Sequence, residues 1–88
     1  MLDKVYKGLR DTYSCTLNNN SDTKSIKIDV GFGFVLTVTH ESRNGLNIFK
    51  IVSNRGSKPV YIGCPIDENG HSDINSLYCF IDDFSGLL

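Results

Sequence analysis

The sequence predicts an α+β fold, a two-layer sandwich with an N-terminal helix, an antiparallel meander of three to five strands and a C-terminal helix (α-β-β-β-β-α). Both ends of the chain carry apolar residues at helical spacing. Between them lies a long run in which every second residue is apolar, and glycine-containing turn sequences follow it. Helices that flank such a meander pack on one face of the sheet, which gives two layers.

The chain has 88 residues, which we interpret as one α+β domain, 1–88, with a single core. Its first segment, Met1 to about Thr12, is predicted to be a short amphipathic helix. The apolar stripe of this helix comprises Leu2, Val5, Tyr6, Leu9 and Tyr13. A short strand over 13–17 and a polar loop over 18–23 follow.

The alternating run is the strongest signal in the chain. Seven even-numbered residues in succession are apolar: Ile26, Ile28, Val30, Phe32, Phe34, Leu36 and Val38. A two-residue hairpin loop would exchange the buried parity, whereas here it persists. The run is therefore either a bent, bulged continuous strand over 24–41 or a hairpin with the three-residue loop Gly31-Phe32-Gly33. We favour the bent strand, because Phe32 keeps the apolar phase.

Asn44-Gly45 predicts a tight hairpin turn, since both residues tolerate the type I′ geometry. With these two as loop residues, Arg43 opposes Leu46, and His40 faces Phe49 on the core side. The opposite face of this hairpin gathers Val35, Thr37, Thr39, Ile48, Lys50 and Val52. That face is more apolar than a solvated sheet face requires.

The last third of the chain is predicted to contain a turn at 55–58, a strand at 60–62, a loop at 64–70 and a helix. Ser72 is the predicted N-cap, with Asp73 in the first turn and Gly86 at the end. The apolar stripe of this helix comprises Ile74, Leu77, Tyr78, Ile81 and Phe84.

Charge and cysteine content restrict the function. The net charge of −1 gives no general attraction to nucleic acid or to an anionic membrane. Three widely spaced cysteines do not form a disulfide framework, which favours a reducing cytoplasm. The sequence shows neither a signal peptide nor an apolar run long enough to span a membrane, so we expect a cytoplasmic protein without membrane partners.

No motif indicates chemistry. Cys64, Asp67, Glu68 and His71 match no metal-binding spacing, and Gly31-x-Gly33 is not a nucleotide fingerprint. His40 is expected to be a structural histidine, and Cys79 a small buried residue beside the core stripe. We therefore predict no catalytic, cofactor-binding or metal-ligating residue, and no enzymatic activity.

The candidate residues for contact with a partner are charged, apart from one aromatic side chain. An acidic set comprises Asp67, Glu68, Asp82 and Asp83 together with Phe80, and a basic set comprises Arg43, Lys50, Arg55 and Lys58. An exposed aromatic ring between carboxylates suits docking to a basic, partly apolar surface. The alternative is that Phe80 packs under the first helix.

In size, composition and lack of an active-site motif, the chain is similar to the small inhibitors that phages and mobile elements encode against host nucleases and defence complexes. The absence of alanine, which we interpret as the codon bias of an AT-rich genome, agrees with this profile. The resemblance implies a protein-binding inhibitor in the host cytoplasm. The alternatives are a toxin-neutralising immunity protein, a binder of single-stranded nucleic acid using the basic loops at 43–58, and a homodimer through the second sheet face.

Overall fold

The structure, a computed structural model, describes residues 1–19, 23–56 and 58–87. Within them the chain forms helix α1 (Leu2–Leu9), strands β1 (Ser14–Asn19), β2 (Lys24–Gly31), β3 (Phe34–Arg43), β4 (Leu46–Ser53) and β5 (Val60–Pro65), and helix α2 (Asn75–Gly86). The strands make one antiparallel sheet in the order β1-β2-β3-β4-β5. The predicted α+β architecture is confirmed.

The core lies between one face of the sheet and the two helices. Even-numbered residues of β2 and β3, such as Ile28 and Val38, are fully buried, and Phe49 of β4 joins them. The helices contribute Leu2, Val5, Leu9, Leu77 and Ile81. Full burial of a side chain of this size stabilises the fold by about 1.5–3 kcal/mol, so this layer holds both helices on the same side of the sheet.

The expected bent strand over 24–41 is wrong. The chain reverses at Phe32 and Gly33, so that β2 and β3 form a hairpin. Phe32 is consequently 80% exposed instead of lying in the core. Residues 20–22, which are half of the predicted loop at 18–23, lie outside the described part of the chain.

A β-bulge explains how the hairpin keeps the alternating parity. Ile26 pairs with Val38, so even positions oppose even positions along most of the two strands. The register shifts between Asp29 and Gly31, and Gly31 then pairs with Phe34 across a two-residue turn. The one extra residue in β2 restores the parity that such a turn would otherwise exchange.

The predicted turn between β3 and β4 is confirmed. Asn44 and Gly45 have φ values of 53° and 75°, as the type I′ geometry requires. Arg43 pairs with Leu46, and the predicted register continues along both strands to the last pair, Leu36 with Ser53.

Several predictions at the two ends of the chain need correction. Helix α1 ends at Leu9 rather than near Thr12. Strand β5 extends to Pro65 and so includes the first two residues of the loop predicted at 64–70. Ser72 is not an N-cap, because it is buried and its hydroxyl donates a hydrogen bond to the Cys64 carbonyl. The Asp73 carboxylate instead accepts the backbone N–H of Asn75 at the start of α2.

Cys79 is exposed on α2, contrary to the prediction that it is buried. It lies between Tyr78 and Phe80, two residues after Leu77, on the side of the helix away from the sheet. No helix among the described residues is long and apolar enough to cross a membrane.

Candidate functional site

Within the described part of the chain, one face of the sheet has no second layer. Both helices pack on the other side, so the residues that alternate with the buried ones point away from the core. We call the part of this surface on β3, β4 and β5 the open face; it comprises Val35, Thr37, Thr39, Glu41, Leu46, Ile48, Lys50, Val52 and Tyr61. It includes the half-apolar face that the sequence predicted.

The register places a cation and an aromatic ring side by side at the centre of the open face. Thr39 pairs with Lys50, and Lys50 pairs with Tyr61, whose ring is 64% exposed. In the next row Ile48 pairs with Gly63, where an added Cβ would meet no atom within 4 Å. The glycine therefore places no side chain beside Ile48.

A shallow depression of about 350 Å³ lies at this position, lined by Thr39, His40, Glu41, Ile48, Lys50 and Tyr61. Among the described residues no carboxylate lies within 4.0 Å of the Lys50 ammonium, and Glu41 pairs instead with Arg43. Lys50 is therefore available to bind a carboxylate from outside the chain.

His40 borders this depression but belongs to the fold. Its Nε2–H donates to the side-chain oxygen of buried Asn47 over 2.7 Å, and its ring lies 5.2 Å from that of Phe49. The prediction of a structural histidine is confirmed.

A second surface lies where the β2–β3 turn meets the end of α2, and we call it the aromatic end: Phe32, Phe34, Phe80, Phe84 and Arg55. The rings of Phe34 and Phe84 meet edge to face with centroids 5.7 Å apart, and Phe80 lies 6.3 Å from Phe84. The Arg55 guanidinium lies 5.0 Å above the Phe34 ring. Phe80 is half-buried in this cluster, so it is not the exposed ring that the sequence suggested.

Side chains from the β4–β5 connection hold the β2–β3 turn. The Asn54 amide donates to the Gly33 carbonyl over 3.0 Å, and its oxygen accepts the Val35 N–H over 2.9 Å. Arg55 donates to the Phe32 carbonyl over 3.2 Å. The turn therefore has a defined conformation, although it projects into solvent.

The predicted acidic residues do not form one patch. Asp82 accepts a hydrogen bond from the Tyr13 hydroxyl near the aromatic end, and Asp83 is exposed beside it. Asp67 and Glu68 follow Ile66, whose N–H donates to the Gly45 carbonyl at the opposite end of the sheet. The ten residues of β3 span about 33 Å between these ends.

The predicted basic residues are also distributed along β4. Arg43 lies beside the β3–β4 turn, Lys50 lies on the open face, and Arg55 and Lys58 lie in the β4–β5 connection. Arg55 contacts Phe32 and Phe34 at the aromatic end, away from the centre of the open face, and Arg43 pairs with Glu41. Of the basic set, Lys50 is thus placed best to bind a partner through the open face.

The described residues contain no group of three or more His, Cys, Asp and Glu side chains placed to hold a metal ion. Asp67 uses one carboxylate oxygen to accept the backbone N–H groups of Asn69 and His71. Cys64 is buried, and burial together with the negative charge of Asp73 raises the pKa of its thiol. Two of the four residues noted in the sequence, Cys64 and Asp67, therefore take part in the fold of this loop.

Sequence reasoning missed Phe32 as a surface residue and did not select Tyr61. For Phe32 a signal existed, because glycines flank it on both sides and a turn of Phe32 and Gly33 exposes the ring. For Tyr61 the pairing with Lys50 depends on the β4–β5 register, which no turn sequence fixed. Searches of protein-family models, of curated proteins and of solved structures found no match to this chain.

Proposed function

We propose that this protein is a small, non-enzymatic protein-binding module, an inhibitor that blocks a host nuclease or defence complex by occupying its surface. The observation that carries the proposal is the open face, with Lys50 beside Tyr61 and Ile48 at its centre. We assign to it a protein partner that presents a carboxylate next to apolar side chains.

The chemistry of the open face supports such a partner. Val35, Ile48 and Val52 are half-buried apolar residues on a surface that neither helix covers. Tyrosine is among the residues that contribute most to protein interfaces, because it is large, rigid and amphipathic. A carboxylate that replaces water around the Lys50 ammonium would add specificity to this apolar contact.

Nucleic acid fits the open face less well. On this side of the sheet Glu41 pairs with Arg43, and Asp29 of β2 offsets the neighbouring Lys27, so Lys50 is not part of a strongly positive surface. These carboxylates oppose a phosphate backbone, and Tyr61 is a single stacking ring where single-strand binders use several. A toxin-neutralising immunity protein would act by the same occupation of a surface, so the identity of the partner distinguishes it from the proposed inhibitor.

The proposal is tested with charge reversal at the centre of the open face. Wild type and Lys50→Glu are used to isolate a stoichiometric complex from the source cell, and the partner is then purified. We expect Lys50→Glu to weaken the complex by at least about 10-fold in calorimetric titration, because it faces the partner's carboxylate with a like charge.

The matched control is Lys7→Glu, which makes the same charge change on exposed α1, on the other side of the sheet. We expect this variant to bind like wild type. Equal binding of wild type and Lys50→Glu, or equal weakening by both variants, would contradict docking through the open face. Retention of a single-stranded oligonucleotide that salt abolishes would instead favour nucleic-acid binding.

A further inference from the structure

We infer that the β2–β3 turn is a preformed anchor that inserts the Phe32 ring into an apolar pocket, bordered by carboxylates, on a protein partner. This inference rests on the proposed function in that the partner is a protein. It concerns a different part of the surface, and it does not require that the open face is the primary contact.

Phe32 adopts a backbone conformation that is unfavourable for a bulky side chain. Its φ is 55°, a left-handed value that is unusual for a bulky non-glycine residue. The β3–β4 turn provides a comparison within the same chain, because Asn44 and Gly45 have φ values of 53° and 75° where Phe32 and Gly33 have 55° and 76°. The two turns share one geometry, and asparagine is the residue that this geometry favours.

The Phe32 ring contributes little buried area to the hydrophobic core. It is 80% exposed, whereas the other apolar residues of the even series in β2 and β3 are buried or half-buried. The backbone conformation of Phe32 therefore costs stability, and its exposed ring returns almost none through burial. Strained, exposed positions of this kind are concentrated at binding sites.

Hydrogen bonds from neighbouring side chains hold the β2–β3 turn in one conformation. Asn54 bonds to Gly33 and Val35, Arg55 bonds to the Phe32 carbonyl, and Asp29 accepts the Gly31 N–H over 2.9 Å. A ring presented on a fixed backbone loses little conformational entropy when it binds. The half-buried rings of Phe34 and Phe84 behind the turn offer an apolar surround for the contact.

The Arg55 guanidinium is the positively charged group that contacts the turn. Arg55 has no carboxylate within 4.0 Å among the described residues, and its guanidinium has donors beyond the one used by the Phe32 carbonyl. Carboxylates at the border of the partner's pocket would pair with these donors. A phosphate surface would extend over Asp29, Asp82 and Asp83 at the same end of the molecule, which repel it, whereas a carboxylate at the border of one pocket has to meet only the Arg55 guanidinium.

The test replaces Phe32 with the residue that the matched turn uses. We expect Phe32→Asn to raise the thermal midpoint by about 3–6 °C, because asparagine adopts the left-handed backbone at lower cost and the exposed ring provides almost no burial to lose. The same variant is expected to weaken the complex with the purified partner by about 30-fold, the effect of losing a central interface residue. Asn44→Phe is the control; it should lower the midpoint and leave binding unchanged.

The outcomes separate the anchor from the alternatives. A Phe32→Asn protein less stable than wild type would assign Phe32 to the fold and overturn the inference, and so would unchanged binding. Wild-type binding to oligothymidine, or to vesicles of phosphatidylcholine and phosphatidylserine, that Phe32→Asn loses would identify a nucleic-acid or membrane contact instead. If Lys50→Glu abolishes binding while Phe32→Asn does not, the anchor is wrong and the proposed function stands.

Discussion

Replacement of Asn54 by alanine tests how firmly the β2–β3 turn is held. The Asn54 side chain connects the β4–β5 connection to both sides of the turn, through the Gly33 carbonyl and the Val35 N–H. Its backbone N–H donates separately to the Val35 carbonyl over 3.1 Å, and alanine keeps that bond. The substitution therefore removes two side-chain hydrogen bonds and leaves the main-chain pairing in place.

The magnitude follows from these two bonds. Each net hydrogen bond contributes about 0.5–1.5 kcal/mol, and both lie at the surface, where water replaces the lost partner. We therefore expect Asn54→Ala to lower the free energy of unfolding by about 1–1.5 kcal/mol. In a domain of this size that corresponds to a fall of roughly 4–12 °C in the thermal midpoint.

Urea denaturation followed by circular dichroism measures the loss, and Asn54→Asp is the control. The aspartate still accepts the Val35 N–H, but its second oxygen replaces the donor to the Gly33 carbonyl and repels that oxygen, so we expect it to be at least as destabilising as Asn54→Ala. If Asn54→Ala unfolds within about 0.3 kcal/mol of wild type, the side chain does not hold the turn, and the rigid presentation of Phe32 is refuted.

Three further predictions concern the core and the titrating groups. Leu77 is fully buried in α2, so Leu77→Ala should reduce the free energy of unfolding by about 2.7–5 kcal/mol in urea denaturation. Cys79→Ala, at an exposed position two residues further along the helix, is the control and should change it by less than about 0.5 kcal/mol. Burial and the hydrogen bond to Asp82 raise the pKa of Tyr13. The resulting stability is therefore complete at neutral pH and is lost as the pH rises above the ordinary tyrosine value of about 10, and Tyr13→Phe should reduce that loss in alkaline denaturation. An aromatic disulfide reagent should label Cys79 within the folded protein and Cys64 only on unfolding, since burial raises the pKa of the Cys64 thiol; labelling of Cys64 at the rate of Cys79 would contradict the packing of β5.

The strand register could be predicted wherever a turn sequence fixed it. Asn44 and Gly45 tolerate the left-handed backbone of a tight turn, so the pairing of β3 with β4 followed directly from their position. The β2–β3 hairpin was only the alternative to a bent strand, because alternation alone does not record a bulge. One inserted residue near Val30 restores the parity that a two-residue turn exchanges, and the pattern then reads as a single strand.

The start of α2 shows that tertiary contacts can override a local preference for helix capping. Ser72 followed by Asp73 is a favourable start for a helix, yet the Ser72 hydroxyl bonds to the Cys64 carbonyl and its backbone pairs with Ile66. These contacts join the loop to β5, and the helix begins after them at Asn75. Local capping preference contributes only about 1 kcal/mol, so such contacts can displace it.

The surface could be predicted only in part. The half-apolar open face and its Lys50 followed from the alternating pattern and the β3–β4 turn. The acidic set and the basic set did not become charged patches, because β4 and α2 run along the sheet and carry members of each set to opposite ends. Asp67 and Asp82 both belong to the acidic last part of the chain, yet they lie at opposite ends of the sheet.

Contact between the open face and a protein partner is tested most directly by photo-crosslinking from one side of the sheet and then the other. A photoreactive phenylalanine analogue replaces Ile48 in one protein and Lys7 in another, and each is irradiated with the purified partner. Cross-links from position 48, with none from position 7, are the predicted result. Cross-links from position 7 alone, or equally from both positions, would show that the partner does not bind through the open face.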